Sequence, residues 1–188
     1  GDEIFMDIYK FVRISTLCFN FILGDLFFIL CIVFPMTYAV LLLNLPNGNG
    51  YVFVWLFSTF QTDNGALFFG KMFGKNHIFP SISPKKTREG AFGAYILNFV
   101  SMIVLMLFGG SWIIPELSFA DICLITFMSS TQGILGDAAE SFVKRVAMVK
   151  DSGSSVPGHG GILDRIDSLI LGAPIIYYYT LYNLDKTI

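Results

Sequence analysis

Charge is what this sequence has least of. Only 14% of its 188 residues are Asp, Glu, Lys or Arg, against about 25% in an ordinary soluble domain. Twelve basic and fourteen acidic side chains cannot wet the surface of a chain that is 54% apolar and 16% aromatic. With a mean hydropathy of +0.67 and long uncharged runs, lipid is the solvent for most of it. A soluble enzyme, a disordered tail and a secreted disulfide scaffold are all excluded. Cysteine is scarce as well. Cys18, Cys31 and Cys123 sit among apolar neighbours without CxxC spacing, as small hydrophobes in membrane helices do. A net charge of -2 leaves no bulk positive charge for nucleic-acid binding. The P-loop and HExxH patterns are absent, as are a Ser-His-Asp order, a cysteine nucleophile and internal repeats. The chain opens Gly1-Asp2-Glu3, without Met and without the order of a signal peptide, so a processed chain or a fragment is expected.

What is present is a series of apolar runs. A bilayer core of roughly 30 Å takes about 20 residues of helix. Five runs qualify: Leu26–Leu45, Tyr51–Phe69, Ala91–Phe108, Leu117–Leu135 and Ile166–Leu184. The first closes at Pro46-Asn47-Gly48-Asn49-Gly50, and the third at Gly109-Gly110. The second carries Gln61-Thr62-Asp63-Asn64, the fourth Asp121 and Ser129-Ser130-Thr131-Gln132, the fifth Asp167 and Pro174. Before them, Ile4, Ile8, Phe11 and Ile14 share one helical face interrupted by Asp7, Lys10 and Arg13. Residues 1–24 therefore predict an interfacial amphipathic helix or the end of a further span, and residues 25–188 a membrane-embedded catalytic domain. The expected fold is all-α and polytopic, with about five transmembrane helices.

Nine of the twelve basic residues fall in two loops. Lys71, Lys75, Lys85, Lys86 and Arg88 lie between the second and third runs; Lys144, Arg145, Lys150 and Arg165 lie between the fourth and fifth. The positive-inside bias puts both loops, with Lys10 and Arg13, in the cytoplasm. Two spans separate the loops, so the parity agrees, giving N-in and C-out.

The acidic residues gather in the same place. Asp137 follows the fourth run, while Asp164 and Asp167 open the fifth. A solvated connector is the usual meaning of a charged loop. Carboxylates at a span centre, however, cost about 2.5–3.5 kcal/mol each, and less near its ends, unless paired or metal-bound. Between them runs the flexible, glycine-rich stretch from Ser152 to Gly161. Small residues let backbone N–H groups approach an anion, and Lys and Arg suit phosphate. Carboxylates among such cations make sense with Mg²⁺, which takes a few carboxylates plus phosphate oxygens. The combination implies phosphoryl or nucleotidyl transfer at a membrane surface.

Ser141-Phe142-Val143-Lys144-Arg145, Lys150-Asp151 and His159-Gly160-Gly161-Ile162-Leu163-Asp164-Arg165-Ile166-Asp167 resemble the signature of the phosphatidate cytidylyltransferases, with every spacing kept. Ser83-Pro84-Lys85-Lys86-Thr87 with Glu89-Gly90, and Asp63 with Gly65-Ala66 and Gly70, resemble two further blocks of that family. Val156, Asn64 and Leu67 depart from its usual residues, and its additional N-terminal spans are not seen. The resemblance implies that CTP and phosphatidate give CDP-diacylglycerol and pyrophosphate in a bacterial inner membrane, with the site facing the cytoplasm. A homodimer is the assembly it suggests.

On that resemblance Asp137 and Asp164 hold Mg²⁺. Lys144, Arg145, Lys150 and Arg165 neutralise the triphosphate and the lipid phosphate, Lys85 and Lys86 close the site, and Ser83, Asp151, Gly160 and Gly161 bind substrate. For Asp137 and Asp164 the competing role is a structural ion pair. Asp167 lies one turn from Asp164, so a salt bridge to Arg165 or a cap competes with substrate or metal binding. Glu140 faces either Asp137 or Lys144. His159 bonds a phosphate, acts as acid to pyrophosphate, or is a turn residue. Asp63, inside a span, contacts nucleotide or a second cation. His77 reads as a loop residue, Glu116 and Asp121 as interface and bundle residues. Rival functions are an isoprenoid-alcohol kinase, an archaeal-type lipid cytidylyltransferase and a transporter, which would bury charge near the bilayer midplane.

Overall fold

A computed structural model describes residues 22–24, 26, 29–80, 83–110, 114–146, 148 and 163–187, except for the side chains of residues 163–165 and 185–187. Residues 1–21, and with them most of the expected amphipathic helix, lie outside the described residues. Six α-helices and one hairpin follow in order: α1 (Phe34–Leu43), α2 (Gly48–Phe73), β1 (His77–Phe79), β2 (Ser83–Thr87), α3 (Arg88–Phe108), α4 (Phe119–Val146), α5 (Leu163–Ile170) and α6 (Gly172–Thr187). A π-helical turn, Ile29–Val33, leads into α1 just ahead of Pro35. Widening the turn there gives the proline ring room that an α-helical carbonyl would deny it.

Among the described residues three helices are long and apolar enough to cross a membrane: Ile22–Leu43, Arg88–Phe108 and Phe119–Val146. The chain is an all-α polytopic membrane protein. Helix α2, with 26 residues, has the length, about 39 Å at 1.5 Å per residue, but its polar residues dilute its hydropathy. Large apolar side chains point outward, among them Phe68, Phe92, Phe108, Phe119 and Phe127. Inside, Tyr51, Val54, Trp55, Met102, Ile122, Ile125 and Ile176 form the core where α2, α3, α4 and α6 meet.

The fifth apolar run is not one helix. It divides at Leu171 into α5 and α6. Pro174 explains the break: its ring excludes the carbonyl four residues earlier, at Ile170, which is where α5 stops. The first basic loop likewise contains more than a loop. His77 pairs with Thr87 and Phe79 with Ser83 in an antiparallel hairpin, and Pro84 is tolerated because a two-stranded ribbon has only edges.

Helix ends are fixed by local chemistry. Thr87 caps α3 by accepting from the Gly90 amide at 3.1 Å. Glu89 accepts from the Lys75 and Asn76 amides and the Asn76 side chain, clamping the hairpin to α3. Ser118 and Asp121 form a reciprocal capping box at the start of α4. Helix α4 has 28 residues, so it continues beyond Leu135 and carries Asp137, Glu140, Lys144 and Arg145 on helix rather than on a loop.

Small residues set the spacing between helices. A side chain on Gly65 would meet the Gly93 carbonyl at 2.7 Å, and one on Gly90 the Ala66 carbonyl at 2.8 Å. The Gly65-Ala66, Gly70 and Glu89-Gly90 motifs thus hold α2 against α3. A buried polar node ties in α4. Asn98 Nδ2 lies 2.9 Å from Ser129 Oγ, 3.0 Å from Ser130 Oγ and 3.2 Å from Thr62 Oγ1, while its Oδ1 accepts from Ser58 at 2.9 Å. In an apolar surround such satisfied bonds fix which helix faces meet.

Candidate active site

Helix α4 presents Asp137 and Glu140 three residues apart, hence on one face. Gly136 brings α5 onto that face, since any side chain there would meet the Asp167 carbonyl at 2.6 Å. Asp167 thereby joins the pair: one carboxylate oxygen from each of Asp137, Glu140 and Asp167 lies within 4.8 Å of the others. The Asp167 carboxylate also accepts from the Ser168 amide at 2.7 Å. Three like charges at that range repel one another strongly wherever water is sparse.

Cations partly answer them. Lys86 Nζ sits 2.8 Å from Asp137 Oδ2, carried across from the hairpin, and 3.4 Å from the Ile134 carbonyl. Lys144 Nζ sits 2.7 Å from Glu140 Oε2, one turn along α4. Glu140 is buried, so its pair with Lys144 is the better shielded of the two. Across the cleft, Ser168 Oγ donates to Asp63 Oδ2 at 3.1 Å, linking α2 to α5.

Beside these groups lies a cavity of about 420 Å³, walled among others by Asp63, Ser83, Lys85, Lys86, Asp137 and Asp167. That size is within the range of small-molecule sites. Six residues singled out from sequence therefore share one cavity, drawn from α2, the hairpin, α4 and α5. Lys144 and Arg145 do not wall it: Lys144 turns to Glu140 and Arg145 is exposed. Lys150, Asp151, His159, Gly160 and Gly161 lie outside the described residues, as do the side chains of Asp164 and Arg165.

The donor set suits a hard divalent cation, which takes carboxylate oxygens and leaves positions for phosphate or water. Asp137, Glu140 and Asp167 are the described residues able to hold one, and Asp164 enters α5 one turn before Asp167. Sequence reasoning left Glu140 undecided and missed Ser168, Gly136 and Asn98. Asn98 had a signal, as the sole amide in the apolar run Ala91–Phe108. Gly136 had one too, a residue without a side chain directly before a candidate ligand.

Fold and site together define a membrane-embedded helical protein with an acidic, lysine-lined cleft at one end of its bundle. A sequence model of the cytidylyltransferase family matches residues 4–183, and the chain belongs to that family. It is 41% identical over 131 residues to the phosphatidate cytidylyltransferase of Bacillus subtilis (strain 168), covering 70% of this chain and 47% of that protein. To the phosphatidate cytidylyltransferase of Haemophilus influenzae it is 35% identical over 134 residues, 71% of this chain and 46% of that one. The uncharacterized protein YnbB of Escherichia coli (strain K12) is 36% identical over 155 residues, 80% and 50% of the two chains. The chain spans about half the length of the curated relatives it matches.

Proposed function

We propose that this chain carries the catalytic part of a CTP:phosphatidate cytidylyltransferase, making CDP-diacylglycerol and pyrophosphate for phospholipid synthesis. The observation that carries the proposal is the meeting of Asp137, Glu140 and Asp167 within 4.8 Å, with Asp137, Asp167 and Lys86 on the wall of a cavity at one end of a membrane bundle. Family membership and the names of the relatives agree with it. A transporter would concentrate its ionisable groups near the midplane of its spans.

The chemistry needs no protein nucleophile. A phosphate oxygen of phosphatidate attacks the α-phosphorus of CTP, and the bond from that phosphorus to the bridging oxygen breaks, releasing pyrophosphate. The protein's task is alignment and neutralisation of charge. When bound, Mg²⁺ supplies a countercharge for the triphosphate and for the departing pyrophosphate. Asp137 and Asp164 hold it in the assignment made from sequence, and Glu140 and Asp167 stand close enough to share that work.

Lys86 keeps the Asp137 carboxylate aimed into the cleft and offers a cation beside the phosphates. Lys85 and Ser83, on the same strand, close the cavity. Lys144 holds Glu140. Arg145, Lys150 and Arg165 neutralise phosphate, Asp151, Gly160 and Gly161 bind substrate, and His159 donates a proton or hydrogen bond to pyrophosphate. Asp63 contacts nucleotide or a second cation. The described cations of both basic segments lie at one end of the bundle, which the positive-inside bias assigns to the cytoplasmic side of a bacterial inner membrane.

The test is direct. Membranes containing the chain, given labelled CTP, phosphatidate and Mg²⁺, should yield label in a lipid-extractable product that depends on all three. Label that stays in the aqueous phase, in membranes where the chain is folded and inserted, would contradict the proposal.

A further inference from the structure

Beneath the acidic cleft lies a second, much smaller cavity with an unusual lining. Its volume is about 20 Å³, room for a single oxygen-sized group. Trp55 from α2 and Gln132 from α4 line it, at 6% and 4% exposure. Trp55 Nε1, Gln132 Nε2 and Gln132 Oε1 are buried without a hydrogen-bond partner among the described residues. Each such group costs about 1–3 kcal/mol when left unsatisfied. Gly172 leaves the space open, because a side chain there would strike both Trp55 Nε1 and Gln132 Nε2. The remaining walls include Ile125 and Ile176, both buried, Met128, exposed at 39%, and Ser129 and Tyr179, whose hydroxyls are already bonded to Ser58 and Asn98 and to Asn183.

Two N–H donors aimed at one small space call for an acceptor oxygen, and a carbonyl oxygen has two lone pairs to receive both. With Gln132 Nε2 turned to the space beside the indole, its Oε1 is the group left over, and orphaned carbonyl oxygens are tolerated more readily than orphaned N–H groups. The same elements wall both cavities: α2 through Trp55 below and Asp63 above, α4 through Gln132 and Asp137, and the α5–α6 segment through Gly172 and Asp167. Along α4 the axial step from Gln132 to Asp137 is five residues, about 7.5 Å, with the two side chains about 140° apart around the helix. A glycerol backbone spans a step of that order between its phosphate and its acyl ester groups.

Resting on the reaction proposed above, we infer that Trp55 and Gln132 form a subsite for an acyl-ester carbonyl of the lipid substrate. The lipid phosphate lies at the acidic cleft, the ester oxygen accepts from the indole and the amide, and the acyl chains leave along Met128. The two donors make ester-linked lipid preferred over ether-linked lipid of the same shape, since an ether lacks the carbonyl.

Binding tests this without turnover. The purified chain in detergent is titrated with diester and diether phosphatidic acids of equal chain length, with retention read by native mass spectrometry. The diester should bind about fivefold more tightly, the worth of one or two neutral hydrogen bonds. In Trp55→Phe and Gln132→Leu the advantage should fall to nearly one while diether binding is unchanged. Lipid-free thermal stability should hold or rise in both, because an unsatisfied group has been removed. Gly172→Ala, which fills the cavity, should abolish the ester preference independently. Equal binding of the two lipids by the wild type, an undiminished preference in the variants, or parallel loss of both lipids would each overturn the inference; the first two are the outcomes if the cavity holds only a water. Failure to transfer cytidylyl to either lipid would count against the reaction instead, and leaves this binding difference readable.

Discussion

Lys86 Nζ and Asp137 Oδ2 stand 2.8 Å apart, joining residues that are far separated along the chain. The contact ties the hairpin after α2 to the C-terminal half of α4, at one end of the bundle. Lys86 has a further hold on the Ile134 carbonyl, which fixes its ammonium over the cleft. Its neighbour Lys85 is exposed on the cavity rim.

The two lysines should therefore differ. Lys86→Met is expected to lower kcat/KM for cytidylyl transfer about 100-fold or more, the scale of losing one preorganised charge in a water-poor site. Lys85→Met should cost roughly tenfold or less, as a screened, exposed charge does. Steady-state kinetics with labelled CTP reads both. Equal losses would show that the ion pair with Asp137 adds nothing.

Gly136 is the point where α5 touches α4. Gly136→Val should push Asp167 away from Asp137, costing about 1–3 kcal/mol of stability through overpacking. Transfer activity should fall further than the thermal shift alone explains, and the divalent concentration required for half-activity should rise. An unchanged metal requirement would mean that Asp167 takes no part.

Asn98 holds the polar node between α2, α3 and α4. Asn98→Leu should destabilise the protein by about 1–3 kcal/mol, because Ser58, Ser129, Ser130 and Thr62 lose their common partner. A thermal denaturation curve in detergent checks this. The CTP KM of the folded fraction should stay near wild type, since Asn98 sits below the cleft.

Much of this could be read before any coordinates. Asp137, Asp63, Lys85 and Lys86 stand out because carboxylates and cations are rare in so apolar a chain, and the helices announce themselves by length and hydropathy. The hairpin was hidden because its strands are three and five residues long, too short for an alternating pattern to show, with a proline in the second. The division of the last run into α5 and α6 was signalled by Pro174, which in a membrane helix can equally be absorbed by its neighbours. For Glu140 and Asp167 the sequence left a share in the acidic cluster open beside a salt bridge or a cap. That share depends on how closely α5 approaches α4, which Gly136 decides through a contact distant in sequence. Gln132 lay within a visible polar stretch, but only the positions of Trp55 and Gly172 reveal that its amide has no hydrogen-bond partner among the described residues.

On the proposed reaction, the carboxylates around Asp137 hold a divalent cation. Titration of the purified chain with Mn²⁺, followed by electron paramagnetic resonance, measures this without substrate or turnover. The wild type should bind Mn²⁺ at a saturable site, Asp121→Asn at the far end of α4 should bind it equally well, and Asp137→Asn should weaken binding about tenfold or more. Indistinguishable Mn²⁺ affinities for the wild type and a folded Asp137→Asn protein would contradict the account.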